Sequence, residues 1–242
     1  MYNFLKIDQC AKKILKDIDV KIEPCPDQVR GRLVNGVYED KDIKRVTNFV
    51  DYELSKERLP FAKLGNEKLE SVMAIILESP HTDEFELKDG KLKAIGPAQG
   101  KTGIRFKEKF EDILKGSDIY QNIKEGIYPI VILNAIQFQC SCGNNLQVYK
   151  NKKARDKNWV ACFKSECLND LKLRLQALQP CAIINLCTKG LHTKSRPDLQ
   201  SKLNEYISEH KCLFPNAAYA IGYHPSIWWN SKCAKINNIS EV

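Results

Sequence analysis

The chain reads as an α/β protein, a three-layer α/β/α sandwich on a central four-stranded, mainly parallel sheet with an N-terminal helical extension. Three observations predict it. Four short apolar runs, 71–77 (SVMAIIL), 129–134 (PIVILN), 181–187 (CAIINLC) and 217–222 (AAYAIG), are continuous rather than alternating. A strand covered on both faces reads this way. Helical apolar spacing lies between the runs, at 103–115, 161–178 and 199–209. The order β-α-β-α-β-α-β then requires a parallel sheet with crossover helices on both faces.

Taken in order, residues 3–18 place Phe4, Leu5, Ile7, Ala11, Ile14, Leu15 and Ile18 at helical spacing. Two prolines in EPCPD (23–27) end that segment. Residues 41–57 read as a second amphipathic helix and 59–66 as a link. Residues 1–66 are therefore expected to form the helical extension, and 67–242 the α/β/α domain. The polar segment 143–158 reads as a loop. Its basic run (Lys150, Lys152, Lys153, Arg155, Lys157) is either a solvated surface or a track for a DNA backbone. There is no internal repeat.

Bulk composition narrows the function. Among 242 residues, 38 Lys and Arg stand against 30 Asp and Glu, a net +8. This excess is compatible with a polyanionic partner without requiring one. No run is long enough to span a bilayer. The first twenty residues lack the uninterrupted apolar core of a signal peptide. A cytoplasmic location is expected, where the 10 cysteines stay reduced as core fillers or metal ligands.

In open parallel sheets, sites form beyond the carboxyl ends of the strands. The first run ends in Glu78-Ser79-Pro80-His81, the second in Asn134, the third in Cys187-Thr188-Lys189-Gly190, the fourth in Gly222-Tyr223-His224-Pro225-Ser226. All four deliver polar groups to one edge. Each also has a plain structural reading: Glu78 as an acid at a helix start, Asn134 as a helix cap, His224-Pro225 as a surface turn. Gly100-Lys101-Thr102-Gly103 lacks the spacing of a nucleotide-phosphate loop.

Taken together, ILESPH, PAQGKTG, VILNAIQFQC, IINLC and GYHPS resemble, in that order, the uracil-DNA glycosylase superfamily. The closest branch has a Glu-x-Pro first motif and a Pro-x-x-Gly-x-x-Gly loop, and the resemblance covers about residues 70–230. It implies a monofunctional DNA glycosylase, cytoplasmic and monomeric, that flips out a non-standard base and hydrolyses its N-glycosidic bond. The resemblance puts Glu78 or Asp83 at the water and the cationic sugar, with Glu84 a further carboxylate in the same loop. Ser79, Pro80, His81, Ala98 and Gln99 fall at the base pocket. Asn134 would read the pyrimidine edge, and His224 would stabilise the departing base. Gly100, Lys101, Lys189, Pro225 and Ser226 would hold DNA. Ile227, Trp228 and Trp229 would supply a wedge for the vacated stack, although one Trp buried in the core is the competing reading. A lysine nucleophile, Lys101 or Lys189, would add lyase chemistry.

The departures point to the substrate. Ala98 and Gln99 follow Pro97 where the branch has a stacking aromatic, and His81 is bulkier and more polar than uracil enzymes carry there. A roomier, more polar pocket suits a bulky modified pyrimidine such as glucosylated hydroxymethylcytosine in bacteriophage DNA, hence a role in antiviral defence. Uracil excision in base-excision repair and a non-catalytic DNA-binding module are the alternatives. No cofactor is required. Cys140, Cys142, Cys162 and Cys167 sit where the branch places part of an iron–sulfur cluster, and zinc is the other metal they could hold.

Overall fold

The structure, a computed structural model, describes residues 24–40, 45–46, 72–88, 91–123, 125–140, 152–190 and 198–238. The four apolar runs become four adjacent parallel strands: β4 (Met73–Leu77), β7 (Ile127–Asn134), β8 (Ala182–Asn185) and β9 (Ala218–Gly222). β4 lies between β7 and β8, and β9 flanks β8. Every residue of β4 is buried, as its unbroken apolar run requires.

The sheet is wider than the expected four strands. It has eight, in the order β10-β9-β8-β4-β7-β1-β2, with β3 also on β1. β1 (Asp27–Val34), β2 (Val37–Glu39), β3 (Arg45–Val46) and β10 (Ile236–Asn238) all pair antiparallel. β1 alternates buried and half-buried residues, and β10 is mostly polar, so neither carries the continuous signal of a central strand. The segment expected to be a helical extension thus adds strands to the main sheet, and within 41–57 the described residues 45–46 are strand. The helix expected at 3–18 lies outside the described residues. A small hairpin, β5 (Phe85–Lys88) and β6 (Lys91–Ala94), follows β4.

The helices are α1 (Gly100–Lys115), α2 (Tyr120–Ile123), α3 (Lys152–Phe163), α4 (Glu166–Leu178) and α5 (Leu199–Glu209). Met73, Ile75 and Leu77 of β4 join Phe106, Phe110 and Leu114 of α1 in one core. Ala74 and Ile76 join Trp159, Leu171, Leu175 and Leu203 of α3, α4 and α5 in the other. Alternate residues of one strand therefore feed opposite cores, and helices cover both faces. Two helical boundaries differ from expectation. The basic stretch from Lys152 onward is helix rather than loop, because Trp159 and Phe163, four apart, bury one face of α3. The 161–178 pattern splits in two because the Ser165 side chain caps α4, accepting from the Cys167 N–H.

A buried ion network fixes the end of β7. Arg174 of α4 donates to Asp27 (2.8 and 3.1 Å), Asp170 (2.8 Å) and the carbonyls of Asn134 (3.0 Å) and Ala135 (3.3 Å). With its donors spread over two carboxylates and two carbonyls, the buried guanidinium is compensated.

Candidate functional site

Glu78, the first residue beyond β4, is anchored through its backbone. Its carbonyl accepts from the Trp159 indole (2.7 Å) and the Ile136 N–H (3.1 Å). Its carboxylate, 12% exposed, faces three other elements. His224 Nε2, beyond β9, lies 3.3 Å from Oε2, and the Thr188 N–H, beyond β8, donates to the same oxygen at 3.4 Å. The Arg155 guanidinium of α3 lies 3.7 Å from Oε1. Three strand ends and one helix thus converge on one acid.

His224 opens a 3₁₀ turn over Pro225–Ile227. Its Nδ1 accepts from the Ser226 N–H (3.3 Å) and lies 2.8 Å from the Ser226 hydroxyl. The neutral ring therefore carries its proton on Nε2, toward Glu78. The surface-turn reading of His224-Pro225 holds locally, and the same turn sets the tautomer.

These groups wall a cleft of about 620 Å³ that also touches Pro80, His81, Gln99 and Lys101. His81 sits 3.5 Å from Asp83. Burial holds its imidazole below the ordinary value, with the Asp83 and Glu78 charges pulling the other way. Asp83 is half exposed and packs under Gly100, whose φ of 59° suits glycine and where a Cβ would strike the Asp83 carboxylate. Gln99 lines the cleft while donating to Gln28 (3.2 Å) and the Pro97 carbonyl (3.3 Å).

Glu84 is the acid that sequence reasoning placed only as a further carboxylate. It reaches the cleft wall yet is 3% exposed. The Ala98 N–H donates to Oε1 (3.1 Å), Asn134 Nδ2 to Oε2 (3.0 Å), and the Cys25 thiol lies 3.7 Å from Oε2. Burial pushes its carboxyl up to about 8 against the pull of the Asn134 and Ala98 donors, with the Glu78 charge adding to the rise. Asn134, the last residue of β7, is buried behind Glu84, and its Oδ1 has no hydrogen-bond partner among the described residues.

The structure thus joins Glu78, His224, Pro80, His81 and Gln99 at one cleft and sets Asn134 one layer deeper. Ala98 is fully buried, with φ 56°, and contributes its N–H to Glu84 rather than a surface to the cleft. Ser226 and Ile227 reach the cleft, whereas Pro225 is buried beneath it. Lys189 is exposed, its ammonium 5.1 Å above the Tyr223 ring. Trp228 corrects the wedge expectation. At 1% exposure it packs near Phe106 in the core and donates to the Tyr223 carbonyl (2.8 Å), so it cannot enter a base stack. Trp229 is 69% exposed and shares a shallow hollow with Lys101, Ile104 and Arg105.

Cys140, Cys162 and Cys167 are buried in the core, and Cys142 lies outside the described residues. The Cys162 hydrogen bond and burial push the Cys167 thiol up, away from the thiolate a metal needs. Among the described residues no group of three or more His, Cys, Asp or Glu could hold a metal ion, and no helix is long and apolar enough to cross a membrane.

Arg155 and Thr188 are the cleft residues the sequence left unassigned. Arg155 had a usable signal, since it lies four residues before Trp159 and so shares its helical face. The Thr188 contribution is a backbone N–H, which residue type does not reveal. Comparison with family models, curated proteins and solved structures returned no match.

Proposed function

We propose that the protein is a monofunctional DNA glycosylase that extrudes a base into the Glu78–His224 cleft and hydrolyses its N-glycosidic bond. The observation that carries the reading is the meeting of an acid and an imidazole from two distant strand ends, 3.3 Å apart, in a cleft of about 620 Å³. In this reading the C1′–N bond breaks heterolytically and its electron pair leaves with the base. Glu78 supports the cationic sugar and takes a proton from the water that adds to C1′. His224 Nε2–H, held by the Ser226 turn, is given to the anionic base and replaced from solvent. Arg155 and the Thr188 N–H hold Glu78 in place. Lys101, Ser226, Ile227 and the exposed Trp229 form the rim on which a DNA strand would rest.

For substrate, a bulky modified pyrimidine such as glucosylated hydroxymethylcytosine in bacteriophage DNA fits a cleft with no stacking ring at Ala98. His81, Gln99 and Arg155 offer polar groups to sugar hydroxyls there. The protein would act as a monomer in antiviral defence without a cofactor. The test is mass spectrometry of bases released from duplexes containing uracil, hydroxymethylcytosine or its glucosylated form. Release of the glucosylated base is expected. Release of uracil alone would move the protein to repair, and no release from any duplex would leave a non-catalytic DNA-binding module. Glu78→Gln is expected to lower the excision rate by roughly 10²–10⁴-fold with DNA binding retained.

A further inference from the structure

We infer that Glu84 is a specificity-determining residue: through the Asn134 side chain, its carboxyl sets whether a hydrogen-bond donor or an acceptor meets the edge of a pyrimidine in the cleft. The inference rests on the base-excision reading and adds to it the residue that selects the class of base.

Two features of the buried cluster carry it. The first is a donor that cannot turn round. The Ala98 N–H points at Glu84 Oε1 (3.1 Å), and Ala98 is locked in place because Gly103 of α1 packs so closely on its carbonyl that a Cβ there would overlap it. A backbone N–H only donates, so Oε1 must accept, and a proton on this carboxyl resides on Oε2. The second is an acceptor without a donor. Oε2 faces the Asn134 amide at 3.0 Å, and Asn134 Oδ1 is the buried atom with no partner among the described residues.

An ionised Glu84 takes the Asn134 NH₂, as the structure shows, and leaves Oδ1 at the far end of the amide. A protonated Glu84 must donate from Oε2. A half-turn of the amide brings Oδ1 to receive that proton and carries the NH₂ to the far end. N and O are nearly the same size, so the exchange needs little space. One proton therefore reverses the hydrogen-bonding sense of the amide end turned away from Glu84.

Pyrimidines divide by that same sense. A 4-oxo ring such as uracil has a donor at N3 and an acceptor at position 4, and a 4-amino ring such as cytosine has the reverse. Whichever of the two positions the amide meets, turning it round reverses the preference. The free asparagine that reads both positions of uracil is not what this cleft offers, because Glu84 occupies one end.

The surroundings favour the protonated form. Cys25 approaches Oε2 ahead of β1, with Asp27 beyond it, and Glu78 faces Glu84 from the end of β4. His81 and Asp83 lie in the same turn as Glu84. Arg174 of α4 reaches the Asn134 carbonyl, but its charge is met by Asp27 and Asp170. Among the described residues no cation pairs with Glu84, and burial pushes its carboxyl up to about 8.

The test uses the full chain and duplexes carrying one 2′-fluoro-2′-deoxyuridine or 2′-fluoro-2′-deoxycytidine. The fluorine disfavours the cationic sugar, so these bind without cleavage. Fluorescence anisotropy gives the ratio of the two Kd values between about pH 6 and about pH 10, a window that spans the raised carboxyl value. The ratio is expected to change by about tenfold or more in the wild type. It should be flat in Glu84→Gln and in Asn134→Ala. A wild-type ratio that is constant with pH, or a change that persists in Glu84→Gln, would overturn the inference. Base release from natural duplexes with a constant ratio would remove Glu84 alone. A pH-dependent ratio without base release would keep the role of Glu84 and remove the hydrolytic reading. Failure of either fluoro-duplex to bind more tightly than unmodified DNA would remove both.

Discussion

Asp27 and Glu84 are buried almost equally, at 0% and 3% exposure, and their surroundings could hardly differ more. Asp27 faces the Arg174 guanidinium at 2.8 and 3.1 Å and accepts from Gln137 at 3.1 Å. Burial pushes its carboxyl up and Arg174 pulls it back. Glu84 receives neutral donors only: an N–H, an amide and a thiol. A buried acid matched by a cation becomes a strut, here tying β1, β7 and α4 together below the site. A buried acid held by neutral groups keeps a titration within reach of physiological pH, and this one forms part of the cleft wall.

The contrast can be tested in order of expected effect. Arg174→Met strands Asp27 and Asp170 in the core and should cost about 3–5 kcal/mol by chemical denaturation. A loss under about 1 kcal/mol would mean that the network is not the strut described. Gln137→Leu removes one neutral donor from Asp27 while leaving Arg174, and about 1–2 kcal/mol is expected.

Glu84→Gln should show its effect in the slope rather than the height of the stability curve. The folded carboxyl value, about 8, lies above the ordinary 4.5. Below the ordinary value both folded and unfolded chains hold the proton, and the contribution of Glu84 to stability is fully present. As pH rises, the unfolded chain releases its proton first, so stability falls until the folded carboxyl has titrated at about 8. Denaturation across that window should show a decline in the wild type that Glu84→Gln flattens. An unchanged slope would place Glu84 with Asp27 after all.

The adjacent indoles repeat the contrast at the surface. Trp229→Ala should shift stability by no more than about 0.5 kcal/mol. It should weaken single-stranded DNA binding by about 1–3 kcal/mol, read by anisotropy. Unchanged binding would leave Trp229 as a surface residue only.

Much of the central fold was legible in the chain. The four continuous runs gave the four parallel strands, because burial on both faces leaves no polar interruption to blur the pattern. The α5 boundaries, Leu199–Glu209, coincide with its apolar spacing, and Asp198 caps it by accepting from the Ser201 N–H (2.7 Å). Glu78 and His224 were legible as strand-end groups. The edge strands were not, since β1 interleaves Gln28, Arg30 and Arg32 with its buried residues and carries a register shift between Val29 and Gly31. Nor did residue type distinguish Trp228 from Trp229. Which indole turns inward depends on the 3₁₀ turn that precedes them and on Phe106 of α1.

By itself the sequence determined which segments are buried strands and which polar residues stand at their ends, because hydrophobic patterning is local and a strand's exit is written beside it. Only the tertiary structure decided which of those polar residues meet. The contact of Glu78 with His224 spans 146 positions, 78 to 224, and the partners of Glu84 come from residues 25, 98 and 134. Burial, desolvation and hydrogen bonding across such separations depend on strand order and helix placement, and these fix whether a carboxylate serves as a strut or as a titrating wall of the cleft.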